Sequence, residues 1–301
     1  MTEPPLLIGL TLALAAAVLL AVQNLCIRLG TATGETSDAV VVVMGVNLAL
    51  VGPLAAILYY PEYELSRVAL GAFAAAGVVG LVLGRICLFA GIERIGASRT
   101  TPIVSASTLV AAMLAVWLFD EALTLPHLAG IGCIVSGVAI ISWVTASTDP
   151  SHDSLRDVGA SLLFPVGAAV FVGVEPVLVR VGLDTGTPIL VGLTVMMLTA
   201  FVGYVGYRSL NERPVPPLFG DPNMEWYVGA GLASTVGLLA YFGAIASAPV
   251  VIAIPITHTA PLIVIVLSIT FLPERLERIT WPLVVAAAIV VIGASLVTLS
   301  G

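Results

Sequence analysis

Ten apolar runs, each about as long as a bilayer is thick, dominate this sequence. They fall near 6–29, 39–60, 68–91, 100–119, 125–145, 158–181, 187–207, 226–246, 251–272 and 280–299. A helix rises 1.5 Å per residue, so roughly 20 apolar residues cross ~30 Å of hydrocarbon. Charge is scarce: Asp, Glu, Arg and Lys make up 10% of the 301 residues, and the hydrophobic set makes up 59%. A soluble globular protein carries about 25% charged residues to keep its surface wet. Most of this surface must therefore face lipid. The first run follows Met-Thr-Glu-Pro-Pro with no basic residue before it, which argues against a cleaved signal peptide. The expectation is an all-α polytopic protein of the cell (plasma) membrane, multi-pass, with ten transmembrane helices. Only the connections 146–157 and 208–225 are long.

The remaining composition excludes several function classes. All eleven basic residues are Arg, so chemistry that needs lysine, such as the P-loop nucleotide site or a Schiff base, is absent. A net charge of −7 with no basic cluster argues against nucleic acid as a partner. Cys26, Cys87 and Cys133 lie apart in apolar runs, and His127, His152 and His258 are scattered. Neither set has disulfide or zinc spacing, so no metal is expected.

The chain also repeats itself. Arg28-Leu-Gly30-Thr-Ala-Thr33-Gly34 and Arg180-Val-Gly182-Leu-Asp-Thr185-Gly186 both read RxGxxTG, 152 residues apart. Phe89, Pro102 and Glu121 match Phe242, Pro255 and Glu274 at offset 153, and Thr124, Pro126 and Gly137 match Thr280, Pro282 and Gly293 at offset 156. Small loop insertions produce such a drift. The units are 1–148 and 149–301, each with five helices. Five is odd, so the second copy must enter the membrane inverted, and inverted repeats place a substrate cavity between the halves near the midplane.

With this repeat, the chain resembles the drug/metabolite transporter superfamily in its EamA-type ten-helix form. The resemblance spans essentially the whole chain and centres on VWLFDEALTLPHLAGIGCIVSGVAII and TFLPERLERITWPLVVAAAIVVIGAS, each with a Glu closing the fourth helix. Family members usually carry Gly before that Glu; Asp120 and Pro273 stand there in this chain. The resemblance implies secondary transport of a small metabolite, often export, with no bound cofactor and with both termini inside. It does not imply a substrate.

Candidate residues divide by depth. Glu121 and Glu274 read as cavity gates or, more economically, as carboxylates near the N-terminal dipole of helix 5 or 10, with Thr124 and Thr280 as N-caps. Arg28 and Arg180 precede glycines that look like helix C-caps, where a cation complements the dipole. Glu175 is different, because it lies inside helix 6 and burying a carboxylate in hydrocarbon is costly enough to make such a residue a functional candidate. Pro176 follows it and weakens the helix locally. His258 sits at similar depth in helix 9, so the two read as a proton relay or as a static buried hydrogen bond. Arg85 in helix 3 reads as a site for a substrate carboxylate or phosphate, or as a snorkelling or internally paired cation. Gln23 is the repeat counterpart of Glu175. Asn24, Asn47 and Tyr241 are weaker binding candidates, and the Ser105–Ser107–Thr108 and Thr257–Thr259 clusters read mainly as glue between helices.

Loop arginines number eight on one side (Arg28, Arg94, Arg99, Arg156, Arg208, Arg213, Arg275, Arg278) and two on the other (Arg67, Arg180). The positive-inside rule then puts both termini outside the cytoplasm, against the family expectation. The functional expectation is a secondary active transporter, an exporter rather than an enzyme. It would move a small polar or amphipathic metabolite by alternating access, with proton coupling through Glu175. Its partners would be that substrate, the lipid bilayer and protons, and the chain would act as a monomer or homodimer. The rivals are a membrane sensor or assembly subunit without flux, and an intramembrane enzyme acting on lipid. The enzyme would need a catalytic constellation that the sequence lacks.

Overall fold

The computed structural model describes residues 4–31, 34–95, 100, 103–146, 161–211, 222–271 and 281–300. These residues form helices and turns, with no strand among them. In chain order the spans are α1 (Pro4–Gly30), α2 (Thr36–Tyr59), and α3, which runs from Arg67–Ala76 through a π-helical stretch Gly77–Leu83 into Gly84–Ile95. Then come α4 (Ser107–Phe119), α5 (Leu125–Ala146), α6 (Leu163–Leu183), α7 (Ile189–Leu210) and α8 (Met224–Ser247). The last two are α9, in two pieces (Val250–Thr257 and Ala260–Phe271), and α10 (Trp281–Ser300). The ten apolar runs of the sequence are these ten spans. Among the described residues, six helices are long and apolar enough to cross a bilayer on length and composition alone.

The chain divides into two compact units, one of residues 1–78 and 178–247, the other of residues 79–177 and 248–301. Neither coincides with a sequence repeat, since each draws helices from both. The border between 148 and 149 lies outside the described residues.

In the first unit α2 packs against its repeat counterpart α7. Asp38 pairs with Arg208 at 2.7 Å, the Asn47 amide donates to Met197 Sδ at 3.7 Å, and Gly52 faces Thr194. As the number rises along α2 it falls along α7, so the two helices are antiparallel. The α1–α8 pair runs the same way, with Leu12 near Gly243, Leu20 near Gly237, and the Tyr227 hydroxyl donating to the Gly30 carbonyl at 3.3 Å. Phe73 stacks on Phe242 with ring centroids 6.0 Å apart, and Gly182 and Gly192 close over it. Both rings are fully buried.

The second unit repeats the pattern. The fourth helices of the two repeats meet at Thr108 and His258 near one end and at Glu121 and Val250 near the other. The fifth helices meet through two equivalent glycines: Gly137 lies against Val290 and Ala286, and Gly293 against Gly130, Cys133 and Ile134. Both counterpart pairs are again antiparallel. Three of the five counterpart pairs therefore run in opposite senses, which is the inversion that an odd helix count demands.

The second RxGxxTG turn differs from expectation, whereas Gly30 ends α1. Gly182 does not cap α6 but lies inside it, where its missing side chain admits Phe73. The left-handed glycine is Gly186, with φ 86°. Arg180 serves a helix C-terminus other than its own: its guanidinium donates to the Ile245 carbonyl of α8 at 2.7 Å and pairs with Asp184 at 2.8 Å. Arg208, one of the arginines in the orientation count, is buried in its pair with Asp38, so it is less a free loop charge than a link between α2 and α7.

A Cβ at Gly137 would stand 2.5 Å from Val290 and 2.9 Å from the Ala286 carbonyl, where backbone leaves no room. Gly137→Val is expected to cost about 1–3 kcal/mol through overpacking. A lowered thermal midpoint in detergent is the readout, and an unchanged one refutes close α5–α10 packing.

Candidate functional site

Most departures from regular helix geometry fall in the second unit, and Glu175 and His258 sit among them. α3 widens to i→i+5 geometry over Gly77–Leu83. α4 starts at Ser107 after a turn at Ala106, and α9 breaks at His258 and Thr259. Pro176 lies within α6, and Pro255 three residues before the α9 break. Each irregularity leaves backbone groups outside the normal ladder, which in a membrane is tolerated only where protein or a wet cavity surrounds them. π-helical stretches recur at functional sites for the same reason.

α6 lies between α3 and α4. Its Gly173 faces α4, where a Cβ would stand 2.7 Å from the Ser107 carbonyl and 2.6 Å from Val110. Its Val172 and Phe171 face Gly84 of α3, and Glu175 presses its Cβ and Cγ onto Gly80, within 2.5 Å of where a Cβ would be. Residues 173 and 175 are about 200° apart on a helix of 3.6 residues per turn. Glu175 therefore occupies the α3 side of α6, in the π-helical stretch. The carboxylate is buried at 9% exposure. It stands eight residues before the end of α6, about 12 Å deep by helix rise.

His258 is bonded elsewhere. Its Nδ1 lies 2.9 Å from the Thr108 hydroxyl, joining the α9 break to the start of α4. It is eight residues from the start of α9, hence also about 12 Å deep. Each stands eight residues from its helix end, but Glu175 lies toward α3 whereas His258 is bonded to Thr108 of α4. Thr108, read from the sequence as glue, is the residue that engages His258. Ser107 beside it is buried. Arg85 follows Gly84 on α3 and is half-buried.

The other candidates lie in the first unit. Gln23, at the position equivalent to Glu175, is likewise buried, whereas Asn24 is exposed. Asn47 is consumed by structure: its amide donates to the Ser234 hydroxyl at 3.1 Å, and its carbonyl accepts from Thr235 at 2.9 Å. Those bonds tie α2 to α8, and the sequence reading missed both partners. Tyr241 is buried edge-on to Phe242 at 6.2 Å.

Glu121 has a different structural role from the one expected. It does not serve α5; its two carboxylate oxygens accept from the Val250 and Val251 amides, both at 2.9 Å. α9 begins after Pro249, which offers no side-chain cap, so the carboxylate from the other repeat satisfies the first free N–H groups and the positive dipole end. At α5 the reciprocal cap is made by His127, whose Nδ1 accepts from the Thr124 amide at 3.2 Å. The same ring nitrogen lies 3.0 Å from the Thr124 hydroxyl. Glu274 lies outside the described residues. Among the described residues no group of His, Cys, Asp or Glu side chains has metal-binding geometry.

A multi-pass bundle whose counterpart helices oppose one another, with a carboxylate held in an irregular membrane segment, defines an inverted-repeat membrane protein of the transporter type. The chain belongs to the EamA-like transporter family, whose model matches residues 7–143 and again 159–299. That places it in the drug/metabolite transporter superfamily and makes it an integral multi-pass membrane protein. A 74-residue stretch is 35% identical to the probable 4-amino-4-deoxy-L-arabinose-phosphoundecaprenol flippase subunit ArnF of Erwinia tasmaniensis, covering 24% of this chain. The match spans 58% of that relative's length. A protein crystal structure superposes with a TM-score of 0.78 over 100% of this chain and 98% of the other, at 17% identity. At that identity the likeness is one of fold.

Removing the Glu121 clamp is expected to loosen the start of α9. Glu121→Ala gives up two charge-assisted bonds at a partly exposed site and is expected to cost about 1–3 kcal/mol. Glu121→Gln, which keeps one acceptor, is expected to cost less. Equal thermal midpoints for wild type and Glu121→Ala refute the clamp.

Proposed function

We propose that this chain is a secondary active exporter of a small polar or amphipathic metabolite, working by alternating access and coupled to protons through Glu175. The observation that carries the reading is the burial of Glu175 against the π-helical stretch of α3. A carboxylate within the hydrocarbon layer is costly to bury and normally faces a cavity, a partner or a transport path. A protein that exposes it alternately to each side then carries a proton across. His258 and Thr108 lie beside two helix interruptions, where substrate groups meet freed backbone donors and acceptors. Arg85, one residue beyond Gly84, is the cation we assign to anionic substrate groups.

Family membership supports transport over the sensor and lipid-enzyme readings. The match to a subunit named as a lipid-linked sugar flippase favours the amphipathic end of the substrate range, a molecule with a polar head and an apolar part. Gln23, the buried neutral counterpart of Glu175, leaves one ionisable group in the equivalent pair.

In proteoliposomes, Glu175→Gln is expected to abolish transport driven by a pH gradient while sparing equilibrative exchange. Undiminished uphill transport by that variant refutes the coupling role. Arg85→Ala is expected to weaken binding of anionic substrates by about tenfold or more, the loss of one charge-assisted contact. Equal affinity for anionic and neutral substrates in wild type and variant removes Arg85 from the site.

A further inference from the structure

An open groove of about 440 Å³ runs between α2 and α7, lined by Gly52, Ala55 and Ala56 on one wall and Val191, Thr194 and Val195 on the other, with Tyr63, Glu64 and Leu65 at its mouth. Its deepest wall residue, Gly52, is seven positions before the end of α2. By helix rise it reaches about 10 Å into the membrane, most of one leaflet of a ~30 Å hydrocarbon layer. The walls are apolar in effect, because the Thr194 hydroxyl is already bonded to the Leu190 carbonyl at 2.7 Å. Leu54, Ile57 and Leu58, which flank the α2 wall, are exposed. At that depth water is excluded, and an empty apolar groove forfeits dispersion contacts.

The mouth is chemically distinct. Glu64 is exposed and sits at φ 47°, a left-handed conformation rare for a residue with a side chain. It is held there by the Thr187 hydroxyl, which donates to the Glu64 carbonyl at 3.0 Å and pairs with the Thr185 hydroxyl at 3.0 Å. Glu62 lies two residues away, also exposed. The Thr187 bond thus holds the Glu64 backbone over the mouth of an apolar slot, at some conformational cost, with the carboxylate exposed beside it. A cationic head joined to an acyl chain complements both parts.

We propose that this groove is a binding site for an aminophospholipid of the phosphatidylethanolamine class, one acyl chain lying between α2 and α7 and the ammonium group paired with Glu64. The site belongs to the outer surface of the first unit and is separate from Glu175 and His258 in sequence and in unit.

The test is native mass spectrometry of the protein released from nanodiscs holding equal amounts of phosphatidylethanolamine and phosphatidylglycerol. Wild type is expected to retain phosphatidylethanolamine preferentially. Ala56→Phe and Val195→Phe, which fill the groove from opposite walls, are each expected to remove one bound lipid. Glu64→Gln is expected to keep the number of bound lipids but lose preference by roughly threefold, the worth of one exposed ion pair. Full lipid complements in both Phe variants overturn the site, and an unchanged head-group preference in Glu64→Gln overturns the ammonium assignment. A wild-type dimer that Ala56→Phe splits with no change in lipid overturns it in favour of a second copy of the chain as the occupant. Glu64→Gln leaves packing untouched, so the head-group arm decides even if a Phe variant fails to fold.

Discussion

An odd number of helices per repeat is the constraint from which the rest of this structure follows. A five-helix unit that enters the membrane from one side leaves by the other, so its duplicate must be inverted. Inversion makes counterpart helices antiparallel, and antiparallel helices with like sequences offer each other the same small residues at the same depths. Gly137 and Gly293 illustrate the result, each leaving a hollow that the other's helix fills. Since lipid tails are as apolar as leucine, such close packing, rather than exclusion from water, holds membrane helices together. Duplication therefore supplied its own interface. The compact units accordingly differ from the sequence repeats, because each is assembled from counterpart pairs: α2 with α7 in one, α4 with α9 and α5 with α10 in the other.

The same geometry explains the family carboxylate. A helix that starts inside a membrane protein after a proline has free amides and no side chain of its own to cap them. In an antiparallel pair, the C-terminal end of one helix lies beside the N-terminal start of the other. Glu121, just beyond α4, thus reaches Val250 and Val251 at the head of α9. A local capping role within its own repeat was the natural reading of Glu121 followed by Thr124 and Pro126. The long-range role needed the pairing of the fourth helices, which no local spacing encodes.

The fold was legible because hydropathy and internal repetition are properties of the whole chain. Ten spans, the odd repeat and the inversion all follow from counting. Individual candidate positions were legible only where burial cost alone singles out a residue, as at Glu175, which the structure buries. Where function depends on what faces what, the sequence was silent. Asn24 and Asn47 look alike as amides in apolar helices, yet Asn24 is exposed and Asn47 is locked between Ser234 and Thr235. The π-helical stretch had a trace in the spacing of Gly77, Gly80 and Gly84, but those glycines read equally well as a packing seam. The break at His258 was foreshadowed by Pro255 and by the hydroxyls on either side, Thr257 and Thr259. What joins it to Thr108 is again the fourth-helix pair.

On the proposed reading, symmetry also says why coupling would fall to one half. Gln23 and Glu175 occupy equivalent buried positions, and only Glu175 carries an ionisable group. Two carboxylates there would require two protons to be bound before both halves could close over an apolar interior, since each buried charge is separately costly. An amide at one position keeps the hydrogen-bonding shape of the pair and removes one charge from the cycle. On the proposed reading, a single protonation then suffices to change the preferred state, and the pairing allows no more than one coupled proton per turnover from these two positions. On the same reading, an inverted repeat with like halves favours two conformations of similar energy. The difference between Gln23 and Glu175 would then let a proton gradient choose between them.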